Sequence, residues 1–500
     1  MEQAEQPEVV SCGIPGLDNI LRGGFPRYCL SLISGMPGTG KTTLAMQFLL
    51  DGARRGESCL YVTLSESRSE IEMVARSHGW DLSGISITEL VPSEQNLSAD
   101  NQLTVFSPSE LELGETTQAM IAAVDKHRPL RLVLDSLSEI RLIAQSGLRY
   151  RRQVLALKQY FSGRQCTVLM LDDKTGGIED DHLQSIAHGV ITLEQIANQL
   201  GAERRRLRVV KMRGIAFRGG FHDFNIRRGG LEVYPRLVAA EHLSSFDETA
   251  IPSGNPQLDD LLGGGIPPGT STLLMGPAGT GKSTIATQFA TAAAARGLRT
   301  AMFVFDESIG TLRSRSRNLG VGFEQALQSG LISIQQVDPA ELSPGEFAAI
   351  VRSAAEGTDR SGMPSKLIVI DSLNGYLNAM PEEKFLTAQL HELLAFLGQV
   401  GVATIMTLAQ TGMVGAMQAP VDTTYLADNV LLFRYFEATG WVRRALSVVK
   451  KRNGRHERTI RELDMDGNGI KIGEPLSDFQ GILTGVPTYV GRADRLMDRK

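Results

Sequence analysis

Two glycine-rich loops of one pattern constrain this chain more than any other feature. Residues 35–42 read GMPGTGKT, and residues 276–283 read GPAGTGKS. Each loop follows an apolar run typical of a strand and precedes a run typical of a helix, which is the context of a phosphate-binding P-loop. A glycine-rich turn could imitate one such loop, but two independent imitations in one chain are much less expected. The sequence therefore predicts two polyphosphate sites.

The residue types in these loops match the chemistry of a bound triphosphate. Glycines let consecutive backbone N–H groups face phosphate oxygens without an intervening Cβ. Lys41 and Lys282 supply charge for the β and γ phosphates, while the hydroxyls of Thr42 and Ser283 suit Mg²⁺. We therefore predict that ATP contacts Gly35, Gly38, Thr39, Gly40, Lys41, Thr42 and Thr43 in one loop, and Gly276, Gly279, Thr280, Gly281, Lys282, Ser283 and Thr284 in the other.

Composition excludes several classes of protein. A length of 500 residues is enough for two or three hydrophobic cores, and a net charge of -5 argues against a generally basic surface for nucleic acid. The N-terminal segment MEQAEQPEVV is acidic and polar, unlike a signal peptide, so we expect a cytoplasmic protein. The uncharged stretch 395–421 contains glycine, glutamine and threonine, which favours a helix end, a strand and a loop over a membrane span.

The cysteines give no sign of a disulfide framework or of a metal site. Four are present, at Cys12, Cys29, Cys59 and Cys166, and their spacing matches neither pattern. Buried structural thiols in a reducing compartment are the expected alternative.

The chain also contains a long internal duplication. Lys41 and Lys282 are 241 positions apart, and Glu66 in YVTLSES matches Glu307 in FVFDES at the same offset. RLVLDSLSE and LIVIDSLNG repeat at 236 positions, and KMRG and KKRNG repeat at 239. An offset that changes by only a few positions along the chain indicates one domain copied once. We predict domains at 1–240 and 241–480, followed by a tail at 481–500.

Within each copy, short apolar runs alternate with helical stretches. Runs such as RLVLD and KLIVI are apolar throughout, which is typical of parallel strands covered on both faces. The sequence therefore predicts an α/β fold of two tandem P-loop domains, each with a mostly parallel sheet flanked by helices.

Acidic residues at strand ends are the candidates for catalysis. Asp135 and Asp371 each end an apolar strand, the usual place of an aspartate that holds Mg²⁺, although such a residue could merely cap a turn. Glu66 and Glu307 follow another strand, where a carboxylate could orient the attacking water. Asp306 precedes Glu307, whereas the first copy has Ser65 there. These carboxylates could alternatively be solvated or cap the next helix.

Basic residues end one strand in each copy. LRVVKMRG presents Lys211 and Arg213, and LSVVKKRNG presents Lys450 and Arg452. They could reach a γ phosphate bound by a neighbouring subunit, or they could form an ordinary solvated face. Because no aromatic residues are interleaved with them, a nucleic-acid platform is the weaker interpretation.

Taken together, these motifs resemble the KaiC family of duplicated RecA-like ATPases. The resemblance covers nearly all of residues 11–475, including GIPGLDNILRGGFP and LDDLLGGGIPPGT before the two P-loops. It implies RecA-like domains and a homohexameric double ring with Mg-ATP between subunits. It also implies regulatory protein partners, hydrolysis dominated by the N-terminal ring, and phosphorylation by the C-terminal ring of its own Ser/Thr residues. Glu66, Asp306 and Glu307 match the family's catalytic carboxylates, with Ser65 a departure from its double acidic motif.

The resemblance also locates candidate phosphosites. The family's hydroxyl pair lies just before an aspartate that opens an apolar run, which here is Asp428. The matching positions are Thr424 and Tyr425, so an adjacent Ser–Thr pair is missing, and Thr423 and Thr424 are the candidates. Loop threonines without this role are the alternative.

Two other functions stay open at this stage. A RecA-, RadA- or DnaB-like DNA motor would share the fold, although duplicated sites and acidic charge argue against it. A scaffold that holds nucleotide and turns it over very slowly is the other alternative, and it rests on Ser65.

Overall fold

The structure is a computed structural model that describes residues 8–90, 108–174, 181–197, 201–318, 322–378, 386–412, 424–438, 440–466, 469–484 and 487–490. The chain divides into two compact units, Met1–Arg236 and Leu237–Lys500. Within the described ranges, no helix is both long and apolar enough to cross a membrane.

The first unit alternates strands and helices along most of its length. Its strands are β1 (Val9–Val10), β2 (Phe25–Pro26), β3 (Leu30–Gly35), β4 (Cys59–Thr63), β5 (Ile85–Glu89), β6 (Arg131–Asp135), β7 (Thr167–Asp173), β8 (Gly189–Ile196), β9 (Arg204–Met212), β10 (Phe221–Arg227) and β11 (Gly230–Tyr234). Its helices are α1 (Pro15–Ile20), α2 (Lys41–Arg54), α3 (Arg68–His78), α4 (Pro108–His127), α5 (Leu137–Ala144), α6 (Gly147–Ser162) and α7 (Asp181–Ile186).

The second unit repeats this plan. Its strands are β12 (Ser271–Gly276), β13 (Thr300–Val304), β14 (Ile332–Gln336), β15 (Leu367–Asp371), β16 (Ala403–Ala409), β17 (Asn429–Ala438), β18 (Trp441–Lys451), β19 (Arg461–Asp466), β20 (Gly469–Pro475), β21 (Phe479–Gln480) and β22 (Thr488–Tyr489). Its helices are α8 (Pro256–Leu262), α9 (Lys282–Ala295), α10 (Ile309–Asn318), α11 (Phe323–Gln328), α12 (Pro344–Glu356), α13 (Leu373–Asn378) and α14 (Leu386–Gln399).

Each unit is built on a sheet of nine strands in the same spatial order. The order is β5-β4-β6-β7-β3-β8-β9-β10-β11 in the first unit and β14-β13-β15-β16-β12-β17-β18-β19-β20 in the second. The first six strands of each order run parallel, and the last three continue as antiparallel neighbours. The predicted α/β fold with two mostly parallel sheets is therefore confirmed.

Helices cover both faces of each sheet, as the apolar strands require. Every residue of β3 and β6 is buried. Ile33 and Val133 share one core with Phe48 of α2, while Leu134 belongs to the core on the opposite face with Val154 of α6. Because all of these strands are buried on both sides, alternation of polar and apolar residues is lost from their sequences. Each P-loop begins at the carboxyl end of a central strand, β3 in the first unit and β12 in the second.

Candidate functional site

Each P-loop connects a buried central strand to a helix. The first runs from the end of β3 to the start of α2, and the second runs from the end of β12 to the start of α9. Gly40 and Gly281, which precede the two lysines, have φ values of 97° and 102°. A Cβ is disfavoured in this left-handed region, so the turn requires glycine. The helix N-terminus behind each loop presents unpaired N–H groups to an anion.

The two P-loop lysines fold back over their own loops. Lys41 Nζ donates to the carbonyl oxygens of Gly35 and Met36, both at 2.9 Å. Lys282 Nζ donates to those of Gly276 and Pro277 at 2.8 and 2.6 Å. Both lysines are therefore held in equivalent positions beside the space that a polyphosphate would fill.

The surroundings of these lysines differ between the units. Asp173, the last residue of β7, places Oδ1 2.6 Å from Lys41 Nζ. Burial lowers the pKa of Lys282 to about 8, and the charge of Asp371 only partly opposes this effect. The first site therefore has a carboxylate in direct contact with its lysine.

The predicted Mg²⁺ ligands converge in the first unit. Thr42 Oγ1 donates to Asp135 Oδ2 at 2.9 Å, and the hydroxyl of Tyr61 donates to the same oxygen at 2.5 Å. Burial raises the pKa of Asp135, and these two hydrogen bonds oppose the rise. In the second unit, Asp371 accepts a hydrogen bond from Thr407 Oγ1 at 2.5 Å.

A hydroxyl beside a buried carboxylate suits a hard cation such as Mg²⁺. No cluster of three or more His, Cys, Asp or Glu side chains suited to a metal occurs in the described ranges. The donor set therefore fits a cation that takes most of its remaining ligands from phosphates and water rather than a closed protein cage.

Glu66 lies directly beyond β4, close to Asp135. Thr63 Oγ1 fixes its backbone by accepting from the Glu66 N–H at 2.9 Å and donating to the Glu66 carbonyl at 2.8 Å. Within the part of the chain that the structure describes, Glu66 Oε2 is buried and lacks a hydrogen-bond partner. Burial raises the pKa of Glu66, and the charges of Asp135, Glu70 and Asp173 raise it further. The geometry thus leaves one buried oxygen available for a water molecule.

The acidic pair of the second unit is engaged differently. Ser372 donates its hydroxyl to Asp306 Oδ2, and Glu307 Oε2 lies 3.0 Å from Arg315 Nη2 of α10. Burial raises the pKa of Glu307, while the Arg315 charge lowers it. Asp306 and Glu307 follow the end of β13, and they contact different partners.

The four predicted trans-acting residues contact the segment before the neighbouring strand. Lys211 Nζ donates to the carbonyl oxygen of Gln184, and Arg213 Nη2 donates to that of Ser185 at 3.1 Å. Lys450 Nζ donates to Thr424 O at 2.9 Å, and Arg452 pairs with Asp428 at 3.0 Å. Among the described residues, none of the four hydrogen bonds to the P-loop of its own unit.

Cavities accompany two parts of this machinery. One of about 180 Å³ lies at the second P-loop and is lined by Gly279, Gly281, Lys282, Ser283, Thr284, Arg315 and Met465. Another, of about 480 Å³, lies in the first unit beside His188 and Arg213. Arg315 therefore shares the cavity of the second P-loop.

One of the two candidate phosphosites is among the residues that the structure describes. Thr423 lies outside the described residues. Thr424 is half-buried, and its carbonyl oxygen accepts from Lys450. This contact brings Thr424 next to one of the predicted trans-acting lysines.

Sequence reasoning missed three residues of these sites: Tyr61, Asp173 and Arg315. Asp173 ends an apolar strand, CTVLMLDD, so the strand-end argument used for Asp135 could have found it. Tyr61 is buried inside an apolar strand, and Arg315 is one of several arginines on α10. Neither of these two had a distinguishing signal.

Comparison with known proteins gives a consistent result. The sequence model of the family described as "ATPase: KaiC" matches residues 10–238 and 251–477. The circadian clock protein KaiC3 of Synechocystis sp. is 26% identical, with 99% of this chain and 97% of that protein covered. The circadian clock oscillator protein KaiC of Parasynechococcus marenigrum is 27% identical, with 98% and 95% covered. That of Acaryochloris marina is also 27% identical, with 95% and 91% covered.

Proposed function

Since the chain belongs to the KaiC ATPase family, we propose that it hydrolyses ATP at two sites per chain and acts as a ring-forming regulatory ATPase. The observation that carries this proposal is the convergence at the first P-loop of Lys41, Thr42 and Asp135, with Glu66 close to that aspartate. Lys282, Asp371 and Glu307 recur at the second. In this proposal, residues 1–240 form one ATPase domain and residues 241–480 form the other.

Each residue has a distinct part in hydrolysis. The lysine and the loop N–H groups bind the β and γ phosphates, and the buried glutamate orients the attacking water through its carboxylate. Thr42 with Asp135, and Ser283 with Asp371, would hold Mg²⁺, which when bound offsets charge on the phosphates. The raised pKa of Glu66 brings it closer to the working range of a general base.

We further propose that the chains assemble as homohexamers in the cytoplasm. Lys211 and Arg213, and likewise Lys450 and Arg452, would then contact ATP bound by the adjacent chain. Each of these side chains is already held at the end of one strand by contacts within its own unit. Such an arrangement would couple nucleotide occupancy to assembly, because the phosphates attract basic groups from both subunits.

Self-phosphorylation in the second unit is the finer part of the proposal. Thr424 is the described candidate acceptor, and Thr423 is the second. The hydrogen bond from Lys450 to Thr424 O places this backbone beside a group proposed to reach phosphate. A γ phosphate from the adjacent chain would be transferred to the threonine hydroxyl, which loses its proton to a base, leaving ADP.

Turnover measurements on the purified full chain test the main proposal. Mg-ATP hydrolysis is expected, with Lys41→Ala and Lys282→Ala each removing the contribution of one site. Glu66→Gln and Glu307→Gln should each abolish hydrolysis at their own site while retaining nucleotide binding there, since the amide cannot take up a proton. Hydrolysis that persists at the wild-type rate in the double lysine variant would refute the assignment.

Native mass and phosphate incorporation test the finer parts. A hexamer should form with ATP and dissociate in an Arg213→Ala, Arg452→Ala double variant. Mass spectrometry after incubation with Mg-ATP should find phosphate on 423 or 424, and Thr424→Ala should reduce it. Incorporation that survives Lys282→Ala would contradict transfer by the second site. Stimulation of turnover by single-stranded DNA, lost at high salt, would instead favour the DNA motor.

A further inference from the structure

Arg315 distinguishes the second nucleotide site from the first. It lies on α10, and its side chain lines the cavity beside Lys282 and Ser283. The equivalent position in the first unit, at the same 241-residue offset as the P-loop lysines, is Val74 on α3. The two copies therefore differ at this helix position, which carries a cation in the second unit and an apolar side chain in the first.

The other arginines of α10 face a different environment. Arg313 forms two hydrogen bonds with Glu324, at 2.9 and 2.7 Å, and Arg317 Nε lies 3.9 Å from the same carboxylate. Both are exposed, whereas Arg315 is half-buried. Residues two positions apart on a helix point in different directions, which explains why Arg315 alone turns toward the P-loop.

The hydrogen-bonding capacity of Arg315 is incompletely used. Its Nη2 lies 3.0 Å from Glu307 Oε2, but neither Nη2 nor Nε has a well-aligned acceptor among the described residues, and both atoms are buried. Buried donors without acceptors are costly, because the water they lose is not replaced. The guanidinium is thus suited to an acceptor-rich anion entering the cavity that it lines.

We propose that Arg315 binds the phosphate chain of the nucleoside triphosphate held by Lys282 of the same chain. This proposal rests on the function proposed above. A guanidinium offers several donors in a fixed plane, which matches phosphate oxygens better than a single ammonium does. By turning to the phosphates, Arg315 also releases the Glu307 carboxylate to orient water. Arg315 thereby couples the binding of the triphosphate to the release of the Glu307 carboxylate for catalysis.

Diphosphate and triphosphate should be distinguished by this contact. Arg315 reaches the cavity from the side of Glu307, which is the proposed partner of the water that attacks the γ phosphate. Its interaction should therefore strengthen ATP binding more than ADP binding. Replacing the guanidinium by the single ammonium of lysine should preserve part of the effect, because the charge stays while the planar set of donors is lost.

The test uses the full chain carrying Lys41→Ala, so that fluorescent ATP and ADP analogues report the second site. Arg315→Ala is expected to weaken ATP binding by about tenfold and ADP binding by less than threefold. Arg315→Lys should fall between. Arg313→Ala is the matched control, because it removes an arginine of the same helix that faces Glu324, and it should leave both affinities unchanged.

Two outcomes would overturn the inference. If Arg315→Ala binds ATP as tightly as the Lys41→Ala parent and the Arg313→Ala control do, then Arg315 only anchors Glu307. In that case the acidic limb of single-turnover hydrolysis would still move to higher pH, since losing the cation raises the pKa of Glu307 further. Absence of any nucleotide binding in the Lys41→Ala parent would instead overturn the proposed function itself, and the inference with it.

Discussion

Asp173 Oδ1 lies 2.6 Å from Lys41 Nζ, and the residue at the corresponding strand position of the second unit is Ala409. Asp173 is the register partner of Gly35 across β3 and β7, and Ala409 is the register partner of Gly276 across β12 and β16. The duplicated sites therefore differ in the charge that faces the P-loop lysine. This difference follows from a single position at the end of one strand.

We expect Asp173→Asn to tighten ATP binding at the first site by about fivefold. The carboxylate competes with phosphate for the Lys41 ammonium, and a partly exposed ion pair of this kind contributes about 1 kcal/mol. Fluorescent-nucleotide titration in a Lys282→Ala background isolates the first site. The reverse change, Ala409→Asp in a Lys41→Ala background, should weaken ATP binding at the second. Weaker binding in Asp173→Asn would show that Asp173 supports the nucleotide rather than competing with it.

When the pH is lowered, hydrolysis at the first site should begin to decline at a higher pH than it would if Glu66 had the usual pKa of a glutamate. Burial raises the pKa of Glu66, so its carboxylate is protonated, and unable to accept a proton, before the usual range is reached. Because the Asp173 charge contributes to this rise, Asp173→Asn should move the acidic limb to lower pH. Single-turnover rates between pH 5 and pH 8, again with Lys282→Ala, measure the shift. If Asp173→Asn leaves the acidic limb of the pH–rate profile unchanged, Glu66 is not the group that accepts the proton.

The first unit contains a buried cluster of charged side chains, and the equivalent positions of the second unit carry apolar residues. Arg131 is only 1% exposed and pairs with Asp51 at 3.1 Å and with Glu57. The equivalent positions in the second unit are Leu367, Ala292 and Leu298. The second unit thus shows that apolar side chains can occupy the positions that carry the charged cluster in the first unit.

Arg131→Leu should destabilise the first unit by about 3 kcal/mol, because Asp51 and Glu57 lose their buried cation and keep only the more exposed Arg55 and Arg27 as partners. The triple variant Arg131→Leu, Asp51→Ala, Glu57→Leu should recover most of this loss, since the buried charges are removed together, and Arg55 and Arg27, which lose these partners, remain accessible to water. Urea unfolding followed by Trp80 fluorescence in a Trp441→Phe background reports this unit, as these are the only two tryptophans. A triple variant less stable than the single one would mean that the cluster contributes net stability.

The strand plan was predictable from sequence because its signals are local. Each parallel strand is an apolar run, and Asp135 and Asp371 end such runs, so their placement at the carboxyl edge needs only the α/β pattern. The contact between Asp173 and Lys41 depends on β7 lying beside β3, although the two strands are more than a hundred residues apart. Strand order of this kind is not encoded in any short segment.

The orientation of side chains was equally difficult to anticipate. Arg313, Arg315 and Arg317 alternate with serine along α10, and their sequence gives no reason to choose one. Their surroundings differ in the folded protein. Glu324 on α11 attracts Arg313 and Arg317, whereas Arg315 lines the cavity at the second P-loop. The acidic pair shows the same effect, because Asp306 and Glu307 take separate partners, Ser372 and Arg315.

His222 should make the first unit less stable in mild acid. It is 1% exposed, its Nδ1 accepts from the Arg236 N–H at 2.9 Å, and its Nε2 lies 3.0 Å from Arg218 O. A proton on Nδ1 would face another donor, and burial lowers the pKa of His222 to about 4. The unfolded chain therefore binds a proton below about pH 6.5 that the folded unit does not bind until about pH 4.

The free energy of unfolding should consequently fall as the pH drops through this window. The expected loss from His222 between pH 7.5 and pH 5 is about 2 kcal/mol. Urea unfolding of the Trp441→Phe protein at both pH values measures the total difference. His222→Gln should reduce that difference by this amount whatever its own effect at pH 7.5, because glutamine does not titrate. His127→Gln, at the end of α4 in the same unit, is the control. A pH dependence unchanged in His222→Gln would show that His222 is not the group responsible.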